Sequence, residues 1–122
     1  MRFLIIIKAS AESEAGQPPD AGLIDAMADF HTTLARRGVL LDAAGLAPSR
    51  EGWRLHYSDR EPVVERGPFT APGELMAGYT LIQARNHDEA LEWARRFPNP
   101  RGAGRPTHIE LRPLRCLTDT PA

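Results

Sequence analysis

The chemistry-bearing residues of this chain are concentrated between Arg66 and Tyr79. A Gly-Pro turn follows Arg66 and ends in the aromatic ring of Phe69. Five residues later Glu74 precedes a strand that contains Tyr79. This arrangement predicts a loop folded over the end of a sheet. Glu74 either caps exposed amides there or faces the site as a proton-transfer group. Arg66 is then a candidate for binding an anion, and the rings of Phe69 and Tyr79 are candidates for the walls of the site.

Two further charged residues interrupt or end apolar strands. Lys8 ends the apolar run at residues 3–7, where it can meet an anionic ligand or reach solvent. Asp42 interrupts the apolar residues 39–43, and buried carboxylates are rare unless they are paired. A partner from Lys8, Arg66 or Arg112 would make it a structural ion pair. In the functional alternative, at least two of Lys8, Asp42 and Glu74 line one cavity, beside Tyr79 or Phe69.

His31 lies on the flank of the apolar stripe of a predicted helix. Imidazole exchanges protons near neutral pH, so acid–base catalysis is one interpretation. The alternative is a boundary residue whose ring binds a backbone oxygen. The other three histidines form no metal-ligand spacing with it, so we predict neither a metal site nor a cofactor.

Composition restricts the class of protein. The 122 residues predict one domain, and a net charge of −1 argues against nucleic acid as a main partner. The single cysteine, Cys116, excludes an internal disulfide. The apolar run at residues 3–7 is too short for a signal peptide or a membrane span, so we expect a cytoplasmic protein without a membrane partner.

The pattern of elements predicts an α+β fold. Strand, helix and strand are followed by a hairpin and then by strand, helix and strand, which is the ferredoxin-like order βαβ-hairpin-βαβ. Residues 10–19 are predicted to be a loop, and Asp20 and Asn86 are predicted to cap the two helices, the second with Glu89 in a capping box. Pro62 places the hairpin at a sheet edge.

The first strand predicts an oligomer. Residues 3–7 are apolar on both faces, whereas two helices cover only one face of the sheet. A second copy of the same sheet is the simplest cover for the other face. We therefore expect a homodimer with sheets packed face to face, a dimeric α/β barrel.

Five segments together resemble the YciI-related family, in the branch named for an Asp-Gly-Pro-Phe motif. They are residues 3–9, 38–49, Gly67-Pro68-Phe69, 74–79 and 89–98. The resemblance extends over nearly the whole chain and implies a single ferredoxin-like, dimeric domain over residues 1–122. Arg66 stands where the motif of the name has its aspartate.

Two functions follow from this resemblance. The smaller relatives resemble acid–base enzymes with a histidine–aspartate pair, and one group eliminates chloride from chlorinated muconate-type acids. Their histidine position falls near Met27, with His31 one turn later. The resemblance therefore implies an acid–base enzyme acting on a small anionic organic compound. The branch is also associated with sigma-factor systems, which implies a noncatalytic accessory or sensor module as the alternative.

Overall fold

The computed structural model describes residues 1–115, so the predictions for Cys116 and the tail after it lie outside the described residues. The helices and strands follow one another along the chain in the predicted order. They are β1 (Arg2–Lys8), α1 (Ala11–Glu14), α2 (Ala21–Arg36), β2 (Leu40–Gly45), β3 (Trp53–His56), β4 (Val63–Arg66), β5 (Met76–Gln83), α3 (His87–Arg95) and β6 (Ile109–Pro113). Single 3-10 turns lie at Ser49–Glu51 and Pro72–Glu74.

The main sheet has four strands in the order β2-β5-β1-β6. Each neighbouring pair is antiparallel, and β1 and β5 occupy the centre. This is the order of the ferredoxin-like fold, so the predicted fold class is confirmed. The central position of β1 accounts for part of its apolar sequence, because both of its edges are paired and one of its faces packs against the helices.

One face of the sheet carries the core. Phe3 and Ile5 on β1 and Ile82 on β5 point toward the helices and are buried there with Phe30 and Leu34 of α2. Alternate residues of a strand point to opposite faces, so this choice sends Leu4, Ile6 and Leu81 to the other side. The core therefore lies entirely between the sheet and its two long helices.

The opposite face, which we call the open face, has no helix of the described residues over it. Leu4 lies opposite Leu81 and Ile6 lies opposite Tyr79, so these four side chains share it. Each is only partly buried. The open face is thus a half-exposed apolar strip, as the doubly apolar β1 predicts.

The sequence predicts a loop over residues 10–19, but part of this segment is helical. Ser10 caps the four-residue helix α1, and its hydroxyl and that of Ser13 exchange hydrogen bonds with each other's backbone N–H. This capping box stabilises one helical turn that the neighbouring Gly16 and the prolines after it prevent from extending.

β2 and the hairpin also differ from prediction. The apolar residues of β2 suggest a buried strand. In the structure β2 is an edge strand, and its residues from Leu41 to Gly45 are exposed. The hairpin β3–β4 forms a two-stranded sheet of its own and does not extend an edge of the main sheet. Without β3 and β4 beside it, β2 keeps a free edge among the described residues.

Both predicted N-caps are confirmed. Asp20 accepts a hydrogen bond from the N–H of Leu23 at 2.8 Å, and Asn86 accepts one from the N–H of Glu89 at 2.9 Å. The side chain of Glu89 binds the guanidinium of Arg85 at 2.6 Å, so it is engaged outside the predicted capping box.

Candidate functional site

A cavity of about 500 Å³ lies between α2 and strands β2 and β5. Consecutive residues of both strands line it although their side chains alternate between faces, so the sheet backbone itself forms part of its floor. The full lining is Ile7, Pro19, Leu23, Met27, His31, Ala43, Ala44, Gly45, Ala77, Gly78, Tyr79, Thr80 and Pro100. Nearly all of these side chains are apolar, and His31 and Thr80 are the exceptions nearest its centre.

The cavity exists because the side chains on its helix wall are long and those on its sheet wall are short. Leu23, Met27 and His31 are spaced four residues apart and therefore form one stripe of α2. The facing strands carry glycine or alanine at the corresponding positions, which leaves space between helix and sheet. Gly78 has a second reason to lack a side chain, because a Cβ there would lie 2.8 Å from the carbonyl oxygen of Ala44.

His31 is fixed by hydrogen bonds at both ring nitrogens. Nδ1 lies 2.7 Å from the carbonyl oxygen of Met27, and Nε2 lies 2.8 Å from the hydroxyl of Thr80. A carbonyl oxygen can only accept, so Nδ1 carries the proton in the neutral ring and Nε2 accepts from Thr80. The hydroxyl can rotate to accept instead when Nε2 is protonated. The pair therefore accommodates both protonation states without moving a heavy atom.

Tyr79 also lines the cavity, and it binds Asp42 across the open face. Its hydroxyl donates to Oδ2 of Asp42 at 2.9 Å, while Oδ1 of Asp42 accepts from the N–H of Ala43 at 2.9 Å. The hydrogen bond to this carboxylate, followed by its negative charge, raises the pKa of Tyr79 above its ordinary value. Asp42 is exposed and its partner is a tyrosine, so it is neither buried nor paired with Lys8, Arg66 or Arg112.

Lys8 is engaged in an ion pair. Its Nζ lies 2.7 Å from Oε2 of Glu110 on the neighbouring strand β6, and its side chain is 17% exposed. The hydrogen bond from Lys8, followed by its charge, lowers the pKa of Glu110. Lys8 therefore forms a cross-strand ion pair and does not extend into solvent, and its charge is already partly neutralised in the absence of a ligand.

Arg66, Phe69 and Glu74 lie away from the cavity. Arg66 is exposed on the hairpin, with its guanidinium carbon 5.9 Å from the centre of the Trp53 ring. Phe69 is half-buried beneath the guanidinium of Arg54, which lies 4.0 Å from its ring centre. Glu74 is exposed in its 3-10 turn. None of the three lines the cavity.

The structure therefore regroups the predicted site residues. The side chain of His31 lines the cavity, whereas Lys8, Asp42 and Glu74 do not line it. Tyr79 borders the cavity from β5, but its side chain points to the open face. Lys8, Asp42 and Tyr79 instead share the open face of the sheet, since Asp42 lies opposite Leu81 and Glu110 lies opposite Ile6. The expected convergence of two of the three charged residues on this cavity is not observed.

The family is decided by comparison with known proteins. A model of the YCII-related domain matches residues 1–114. The chain belongs to the YCII-related domain family. It is also 35% identical over 77 residues to an uncharacterised protein of Rhizobium meliloti (strain 1021). That match covers 63% of this chain and 60% of the relative, so the chain spans less than two thirds of the relative's length. Membership of the Asp-Gly-Pro-Phe branch stays a prediction.

This YCII-related domain has a second cleft that sequence reasoning missed. It measures about 310 Å³ and adjoins the cavity, since Pro19, Leu23 and Pro100 line both. Glu12 of α1 meets Arg101 and Arg105 there. Glu12 comes from a segment predicted as loop and Asp20 from a predicted N-cap, and Arg101 and Arg105 lie between α3 and β6. Residues outside regular helices and strands carry no periodicity from which a meeting of side chains can be inferred.

Metal and membrane sites are not indicated in the part of the domain that the structure describes. No three histidine, cysteine, aspartate or glutamate side chains of residues 1–115 are grouped so as to hold a metal ion. Among the helices of the same residues, none combines the length and the apolar composition needed to span a bilayer.

Proposed function

We propose that this YCII-related domain binds a small organic molecule in the cavity between α2 and the sheet, with His31 as its acid–base group. The observation that carries the proposal is the position of His31. Its ring lines an otherwise apolar cavity, and its Nε2 is held by a buried hydroxyl that can donate or accept. Ligand sites in proteins typically combine apolar walls with a few polar groups in this manner.

His31 has a defined chemical role in this proposal. Met27 holds Nδ1–H, so Nε2 is the nitrogen that takes a proton from a ligand or returns one. The lone pair of Nε2 points at the hydroxyl of Thr80, so the proton would pass through that hydroxyl. Oγ1 of Thr80 would take the proton of the ligand as its own proton moves to Nε2, and it would then accept a hydrogen bond from Nε2–H of the imidazolium. Such a base can remove a proton from a carbon next to a carbonyl group, and the electron pair of the broken C–H bond then passes to the carbonyl oxygen as an enolate.

Binding can be tested with a neutral apolar fluorophore. Phenylnaphthylamine should bind the wild-type domain with increased fluorescence and should lose affinity in Ala43→Leu. Ala43 lies opposite Thr80 and shares its face, so leucine there fills the cavity. Ala28→Leu is the matched control, because Ala28 is exposed on α2 and does not line the cavity. Equal affinity in the two variants would contradict the proposal.

Proton transfer can be tested without a known substrate. A panel of small carboxylic acids with acidic C–H bonds is incubated with the domain in deuterated water, and deuterium incorporation is followed by NMR. An acid–base enzyme should label at least one compound, and His31→Asn should abolish the labelling while Thr80→Val reduces it. Labelling that persists in His31→Asn would remove His31 from the mechanism.

We also propose that two copies of the domain pack their open faces together. Leu4, Ile6 and Leu81 supply the apolar strip, and Lys8 with Glu110 lies beside it. Burial of such a strip is favourable in proportion to the apolar area removed from water. In the dimer the pair Tyr79–Asp42 would lie at the edge of the inter-sheet space.

The hairpin favours a second candidate function, a noncatalytic interaction module. Its side chains are exposed to an extent unusual for their size: Trp53 58%, Tyr57 77% and Val63 64%. Clusters of exposed apolar residues mark interaction surfaces. The double variant Trp53→Ser, Tyr57→Ser distinguishes the two functions. If the domain is an interaction module, this double variant should lose association with a protein partner, and the wild-type domain should label no compound of the deuterium panel.

A further inference from the structure

The cleft next to the cavity holds two cations on one carboxylate oxygen. Nη2 of Arg101 lies 3.0 Å from Oε1 of Glu12, and Nη2 of Arg105 binds the same oxygen. Each guanidinium could donate a fork of two hydrogen bonds to a carboxylate of its own, and here the two must share one acceptor atom. A hydrogen bond from the backbone N–H of Glu12, followed by those from Arg101 and Arg105, lowers the pKa of Glu12 to about 2.

Arg101 is incompletely satisfied by this arrangement. Its Nη1 donates to the carbonyl oxygen of Pro106 at 2.9 Å, but its Nε is buried without an acceptor among the described residues. Buried donors without partners are uncommon in folded proteins. Oε2 of Glu12 is likewise buried without a donor among the described residues, so this carboxylate does not engage Nε of Arg101. A carboxylate bound side-on to Arg101 would use Nε and Nη2 together.

The other charge at the cleft is already engaged. Asp20 borders it, and its Oδ1 accepts the N–H of Leu23 as the N-cap of α2. Its negative charge therefore lies at the positive end of the helix dipole, where it is stabilised. Displacement of Glu12 would leave two guanidiniums facing the cleft. Asp20 would then be the remaining carboxylate in the lining of the cleft.

We propose that the ligand is an amphiphilic organic anion, whose apolar part occupies the cavity while its carboxylate or sulfonate replaces Glu12 on Arg101 and Arg105. This inference rests on the proposed function, since it uses the same cavity. Continuity supports it: Pro19, Leu23 and Pro100 line both spaces, so one molecule can reach from His31 to the arginines. Glu12 then acts as an internal counterion that any ligand must displace.

A pair of fluorophores with one ring system tests this class of ligand. Anilinonaphthalene sulfonate carries the anionic group, and phenylnaphthylamine lacks it. Arg105→Gln, at the more exposed arginine, should weaken sulfonate binding roughly tenfold, the loss expected for one charge-assisted contact, and leave the neutral probe unchanged. Arg36→Gln, at an exposed arginine in the last turn of α2, is the matched control and should change neither affinity.

Glu12→Gln supplies the opposite test. Removal of the competing charge should tighten sulfonate binding and leave the neutral probe unaffected, and high salt should weaken sulfonate binding alone. Signal that remains in Ala43→Leu measures probe bound elsewhere and is subtracted. A circular dichroism melt confirms that each variant is folded.

The outcomes separate the two proposals. If the neutral probe binds and is lost in Ala43→Leu, but Arg105→Gln and Glu12→Gln leave sulfonate affinity unchanged, the anion site is overturned and the cavity proposal stands. If neither probe binds in a manner sensitive to Ala43→Leu, both are overturned. A tenfold loss in Arg105→Gln together with a gain in Glu12→Gln supports both.

Discussion

The hydroxyl of Thr80 lies 2.8 Å from Nε2 of His31, which joins the centre of β5 to the middle of α2 across 49 residues of sequence. Thr80 is completely buried, so its hydroxyl has exchanged water for this one side chain. A buried hydroxyl without a partner is costly, and this contact therefore has a structural role as well as the proposed chemical one.

The contact between Thr80 and His31 should be measurable as a coupling energy. In a double-mutant cycle of Thr80→Val and His31→Gln, we expect an interaction of about 0.5–1.5 kcal/mol in the free energy of unfolding. When the ring is neutral, nitrogen chemical shifts of His31 should report the tautomer with the proton on Nδ1, and Thr80→Val should shift the Nε2 resonance. Strictly additive variants, with no shift at Nε2, would contradict this geometry.

Gly78 should not tolerate a branched side chain. A Cβ there would lie 2.8 Å from the carbonyl oxygen of Ala44 and 3.3 Å from Cα of Gly45, and both are backbone atoms of the neighbouring strand. We expect Gly78→Val to cost about 1–3 kcal/mol of unfolding free energy by overpacking. Gly73→Val is the control in chemical denaturation, because nothing lies within 4 Å of its Cβ position. Equal denaturation midpoints would show that β2 and β5 do not approach so closely.

Tyr79 should ionise at a higher pH than an ordinary tyrosine because its hydroxyl binds Asp42. In a Tyr57→Phe background the remaining tyrosine is Tyr79, and its tyrosinate absorbance gives the titration directly. Asp42→Asn should move the pKa down toward 10.0. Since the folded-state pKa is raised, the stabilisation from this pair is fully present below pH 10.0 and is lost as the pH rises through the folded-state pKa. No change in the titration of Asp42→Asn would contradict the contact.

Glu12 predicts a pH dependence of the opposite sign. Its pKa falls from an ordinary value of 4.5 to about 2 in the folded protein. The stabilisation is therefore present above pH 4.5 and is lost as the pH falls from there to about 2. Urea denaturation of Glu12→Gln should show a flatter pH profile than wild type across this window, and the two profiles should converge at its acid end. Parallel profiles would show that Glu12 makes no such pairing in solution.

The proposed dimer has a direct measurement. Light scattering of the purified domain should give a mass near twice 13.5 kDa at micromolar concentration. Ile6→Lys should give a monomer, because it places a charge in the centre of the apolar strip on the open face. Leu91→Lys is the control, since Leu91 is 43% exposed on α3, which packs on the other side of the sheet. A wild-type monomer would exclude the packing.

The sequence by itself determined the architecture of this YCII-related domain. Local patterns were sufficient: β1 is apolar from residue 3 to residue 7, α2 repeats its apolar residues with helical spacing, and Asp20 and Asn86 cap helices as their types predict. These signals depend only on neighbours in the chain, and the ferredoxin-like order follows from them. The same signals found His31, whose side chain the structure places in the cavity, and Tyr79, whose side chain it places on the opposite face of the sheet.

Only the tertiary structure decided which side chains meet. A register shift in β2 between Leu40 and Asp42 sends Asp42 to the open face beside Tyr79, and no local pattern distinguishes that register from the alternative. Glu12 reaches Arg101 across 89 residues, from a turn whose approach depends on the packing of two irregular segments. Strand and helix periodicities encode the face on which a residue lies, whereas its partners depend on registers and loops that are set when the whole chain packs.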